Sequence, residues 1–145
     1  MAITVSLYNH TALLFANGAN LSTDTYTVEL YSAMTFDATD TTKALVDASA
    51  TPLTTQFGYT AGGQNLASVV VATVTTNDAS FDAADLTWTA SGGSIVASHA
   101  VLYNNTDTND PPLCMINFDG TQTAADGADF KIVWNASGIF TFTVT

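Results

Sequence analysis

Short runs of β-branched and aromatic residues, cut at brief intervals by Gly, Asn, Asp and Pro, set the limits on how this chain folds. Tyr26–Leu30 is the clearest run. Tyr26, Val28 and Leu30 alternate with Thr27, Glu29 and Tyr31, and a two-residue repeat places the first set on one face of a half-buried strand. Leu66–Thr76 is nearly continuous in Val, Ala and Thr through Ser68–Val71, the pattern of a strand covered on both faces, and Asn77-Asp78 breaks it. Further strands are expected at Ala79–Phe81, Leu86–Ala90, Ser94–Tyr103, Leu113–Asp119, Phe130–Asn135 and Ile139–Val144. The turns between them fall at Ala83–Asp85, Ser91–Gly93 and Asn104–Pro112.

Helical signal is sparse. Ser6–Asn17 can gather Leu7, Leu14 and Phe15 on a face with Tyr8 and Ala12 and stop at Asn17-Gly18; Ile3, Val5 and Leu7 also alternate as a strand would. From Ala33 to Ala50 the pattern dissolves into Asp, Thr and Ala, followed by Pro52 and the glycine-rich Gly58–Gly63. That reads as a long surface excursion with one helical turn at Lys43–Asp47. So little helix leaves no crossovers for a parallel sheet. The expected fold is therefore all-β: an antiparallel, jelly-roll-like β-sandwich over residues 21–145, preceded by a helix or arm over residues 1–20. The 145 residues suit one domain, and no repeat or linker divides them.

Charge narrows function. Thirteen acids, of which only Glu29 is a glutamate, face two cations, Lys43 and Lys131, and there is no arginine; the net charge is −11. Such a surface repels phosphate, which excludes nucleic acid and anionic membrane as partners of a charged face. The opening residues lack the positive charge and apolar stretch of a secretory signal, and no run approaches the ~18 apolar residues of a membrane span. The 25 threonines keep strands soluble without charge.

Catalytic groupings are weak. Cys114 is the only cysteine, which excludes an intrachain disulfide and a multi-cysteine zinc site; within Leu113–Ile116 it reads as a small buried hydrophobe. A Cys114–His99 pair has no orienting third residue in any motif. Asp78, Asp82 and Asp85, or Asp107 and Asp110, place oxygen ligands close together, but neither set has EF-hand spacing and both read as turn chemistry. Trp88 and Trp134 alternate as core residues do, not as a sugar platform. No enzyme activity, cofactor or metal is expected.

Six strings occur in order: Asp24–Tyr31, Gly58–Gly63, Phe81–Trp88, Ala100–Tyr103, Leu113–Asp119 and Phe130–Asn135. Over Leu21–Thr145 they resemble a group of small structural proteins of tailed bacteriophages, including cyanobacterial podophages, with capsid cement or decoration roles. The resemblance implies a jelly-roll-like module that binds the outer surface of a phage head, assembles in the host cytoplasm, and has the major capsid protein as partner. A tail or fibre component, or a carbohydrate-binding or adhesin module, is the alternative. Val69, Val70 and Val71 have no polar face to offer water, which points to a dimer or trimer. The exposed contact candidates are Tyr59 in the Gly58–Gly63 loop, Asp37 and Asp40, and Asp107 and Asp110.

Overall fold

A computed structural model of the chain describes residues 3–75 and 78–143. Thr76, Asn77 and Val144, where one expected strand ends, breaks and another ends, lie outside the described residues. The fold is all-β and antiparallel throughout. The main sheet runs β1 (Thr4–Leu7), β9 (Pro112–Ala124), β8 (Ile95–Asn104), β2 (Tyr26–Met34), β3 (Ala50–Pro52), with β4 (Gln64–Asn65) also on β2. Two smaller sheets accompany it: β10 (Asp129–Ile132) with β7 (Leu86–Thr89), and β11 (Phe140–Phe142), β6 (Asp78–Asp82), β5 (Val70–Thr75). Among the described residues the helices are α1 (Thr11–Ala16) and α2 (Lys43–Ala48).

Alternation on β2 and its neighbours builds the principal core. Tyr26, Val28 and Leu30 are buried with Ala100 and Leu102 of β8 and Cys114 and Ile116 of β9. The small sheets close over them with Phe81, Leu86, Trp88, Phe130, Ile132 and Phe140. Each such large apolar side chain contributes roughly 1.5–3 kcal/mol on burial, enough for a domain of this size to hold without staples. Tyr26 and Phe81 meet edge to face at 5.5 Å, as do Phe118 and Phe130 at 5.6 Å.

The opposite face of the main sheet is also covered. Tyr8, Tyr31, Val46, Val101, Tyr103 and Met115 form a second apolar cluster, against which Met34, Phe36 and Ala50 pack. The segment expected to be a surface excursion thus folds back as a layer, with α2 lying where one helical turn was expected.

Three local expectations are corrected. The opening segment is divided: Thr4–Leu7 is an edge strand paired with Asn117–Cys114, and the helix begins only at Thr11, whose hydroxyl donates to the Leu113 carbonyl at 2.8 Å. Strand β9 continues past Asp119, because Asp119 (φ 54°) and Gly120 (φ 113°) turn the backbone into a bulge that lets Gln122–Ala124 rejoin β8. Strand β5 is not covered on both faces: Val70 is 51% exposed, Val71 42% and Val74 51%, while Leu66 and Val69, which precede it in the expected run, pack on the core. A continuous β-branched run specifies a strand, but it does not specify which faces become covered.

Candidate functional site

The cationic side chain of Lys43 organises the polar centre of the structure. From the first turn of α2 its ammonium pairs with Glu29 and lies 3.1 Å from Asp47 Oδ2. Glu29 sits on β2, facing away from the principal core, with its side chain only 6% exposed against 28% for Lys43. Its second oxygen accepts from the Gly62 N–H at 3.2 Å. The Tyr31 hydroxyl donates to Asp47 Oδ1 at 2.8 Å and meets the Tyr103 hydroxyl at 2.6 Å, and the ammonium lies 5.0 Å from the Tyr103 ring centroid. Burial, and then their mutual contact, holds the Tyr31 phenol far above its usual range; Tyr103 is raised too, chiefly by burial.

This cluster ties the loop and helix of the 35–63 segment to β2 and β8. The same loop approaches β2 so closely that Gly63 (φ +82°) has the Val28 carbonyl where a Cβ would sit. A pocket of about 270 Å³ opens beside the ion pair, lined by Glu29, Lys43, Gly62, Gly63, Tyr103 and Asp110, among others. The Glu29 carboxylate is bonded to the Lys43 ammonium and the Gly62 amide, and burial holds the phenols neutral. The cluster acts as a pin between layers.

The contact candidates disperse. Asp110 lines this pocket, while Asp107 lies beside Asp24, Asn104 and Thr106 at another and caps its own turn by accepting from Asn109 N at 3.0 Å. Asp37 and Asp40 sit near Tyr8. Thr39 hydrogen bonds lower the Asp37 pKa, whereas partial burial and then the Asp37 charge raise that of Asp40. Tyr59 is withdrawn from the list of exposed contacts: it is 1% exposed, and its hydroxyl accepts from Leu30 N at 3.0 Å, so the aromatic ring is core and its polar tip a strut.

The catalytic and metal alternatives do not assemble. Strands β8 and β9 do pair, but Cys114 stands opposite Leu102 while His99 stands opposite Asn117. Three residues along a strand is about 10 Å and a change of face. Burial pushes the Cys114 thiol up to about 12, and His99 bonds to Ser98 Oγ at 2.8 Å. Asp85 accepts from Trp134 N at 3.0 Å and Asp82 from Ala83 N at 2.9 Å. Among the described residues no three His, Cys, Asp or Glu side chains are placed to share a metal ion. Both tryptophans are buried, and Trp134 Nε1 donates to the Ala84 carbonyl at 3.1 Å. No described helix is long and apolar enough to cross a membrane.

What the surface does present is the open edge of β5. Among the described residues it pairs along one side only, with β6, and it exposes Val70, Val71 and Val74. Beside Val71 a shallow groove of about 370 Å³ is lined by Phe15, Leu21 and Phe142. A sheet edge with apolar side chains is a template for another polypeptide.

Sequence reasoning passed over the Lys43–Glu29 pin, although a signal was present: one of only two cations and the sole glutamate in an aspartate-dominated chain. Comparison of the chain with protein-family models, with curated proteins and with solved structures finds no match.

Proposed function

We propose that this chain is a structural virion protein, a capsid cement or decoration protein that binds the outer surface of a bacteriophage head and stabilises the lattice of the major capsid protein. The observation that carries the reading is the open β5 edge, where Val70, Val71 and Val74 are exposed on an uncharged strand of a chain with net charge −11. That surface is suited to protein contact. The six ordered strings that resemble phage structural proteins supply the kind of assembly. Two lysines supply few ion pairs to a partner, so attachment rests on apolar and backbone contacts, with the exposed Asp37 and Asp107 loops available to arginines of the shell.

The test is particle composition. Quantitative mass spectrometry of purified heads and tails from the phage concerned is expected to find the chain in the head fraction at a copy number commensurate with the capsid lattice. Recovery in tails alone would replace the reading with a tail or fibre role. Absence from both would overturn a virion role.

A further inference from the structure

We infer that β5 pairs antiparallel with β5 of a second copy about a two-fold axis at Ala72, joining two three-stranded sheets into one of six strands. This rests on the reading of β5 as a protein-contact surface and gives its strand edge to a second copy, which leaves the exposed Asp37 and Asp107 loops to the shell; its test needs no capsid. The first support is hydrogen bonding. With β6 on one side only, the backbone groups along the other side of β5 lack a strand partner among the described residues, and a strand is what satisfies them together.

The second support is charge. Two copies of a −11 chain repel, so they approach best where charge is absent, and no charged residue occurs between Asp47 and Asp78. Other open edges are poorer templates: β10 carries Asp129 and Lys131, β3 carries Pro52, β4 has two residues and β11 three, and β1 and β7 have four each against six for β5.

The third support is self-complementarity. A two-fold axis perpendicular to a sheet keeps each residue on its own face, so it must pass through a residue pair and not between two. Centred on Ala72, it places Val70 opposite Val74 of the copy and Val71 opposite Thr73 of the copy. Val70 and Val74, each 51% exposed, then cover one another at two symmetric positions, flanking Ala72 against its own image. Centring on Thr73 instead sets Ala72 opposite Val74 and leaves Val70 outside the pairing. Val70–Thr73 keep regular register with β6, and the bulge between Thr73 and Thr75 falls at Val74, so the centre of the paired segment is regular and the irregular residue lies at its two ends.

The experiment uses the full chain in solution, without particles. Sedimentation velocity over a concentration series is expected to show a mass rising from 15.1 kDa towards twice that. Added salt should strengthen the association, because screening removes the repulsion between copies. Val70→Lys with Val74→Lys is expected to weaken association about tenfold or more, since lysines then face each other across the strands. Both changes reduce net negative charge, so general repulsion cannot cause that loss, and an unchanged circular dichroism melt checks folding.

Register is read by crosslinking. Oxidised Ala72→Cys should form a covalent dimer about tenfold faster than Thr73→Cys, because only residue 72 meets its own image within disulfide reach; the buried Cys114 does not compete. A monomer at every concentration, an oligomer indifferent to the lysines, or equal crosslinking of the two cysteines overturns the inference. A monomer that nevertheless decorates heads overturns self-pairing and leaves the capsid reading standing.

Discussion

Replacing Lys43 by Met removes the ammonium but keeps most of the side-chain length, leaving Glu29 and Asp47 without their cation. Breaking a fully buried ion pair by deleting one partner costs about 3–5 kcal/mol, most of it the penalty of stranding a charge. Here the carboxylate is nearly buried, its side chain 6% exposed, while the lysine is 28% exposed. Glu29 would also keep the Gly62 N–H at 3.2 Å. The expected loss is therefore about 2–3 kcal/mol, below the fully buried figure. Urea unfolding followed by fluorescence of the buried Trp88 and Trp134 reads it as a lower midpoint with an unchanged slope. A parallel Glu29→Gln series completes a double-mutant cycle, and the pair should show coupling of about 1–2 kcal/mol. A loss under about 0.5 kcal/mol would place the pair among ordinary surface ion pairs and refute its role as the pin between layers.

Gly63→Ala should destabilise by about 1–3 kcal/mol or more, because φ is +82° and the Val28 carbonyl stands in the way; a thermal melt unchanged from the parent would contradict this close approach. Cys114→Ser should cost about 1–2 kcal/mol by burying a hydroxyl and leave self-association intact, as sedimentation would report. Burial lowers the pKa of both His10 and His99 below the usual 6.5. The unfolded chain then binds more protons on acidification, so stability present above about pH 6.5 is lost as pH falls through and below it, by at most about 1.4 kcal/mol per pH unit per histidine. Replacing both histidines by Asn should flatten that slope in denaturant midpoints measured across pH, and an unchanged slope would assign it elsewhere.

Strands were legible where period and composition agreed. Tyr26, Val28 and Leu30 fell on one face as their alternation required, and the stretch of Asp, Thr and Ala without a two-residue apolar repeat before Pro52 did depart from the sheet pattern. The covering of the second face was not legible. Glu29 and Tyr31 read as the outward set, and they are buried because residues 35–63 fold back over them, a long-range placement that no local pattern encodes. The same gap explains Val70, Val71 and Val74: β-branching determines extended backbone, while exposure depends on which sheet lies opposite. The course of β9 beyond Asp119 depended on a bulge held by Asn117 Oδ1 accepting from Asp119 N at 2.8 Å, a turn signal that reads locally as a strand end.

The proposed attachment of this chain to a capsid through apolar and backbone contacts is tested most directly by a salt wash of purified particles. At about 1 M salt the Debye length is near 3 Å, so charge-dominated attachment weakens while apolar attachment holds. After such a wash, gel densitometry against the major capsid protein should find most copies of the chain still on intact heads. Complete stripping from heads that remain whole would contradict the account.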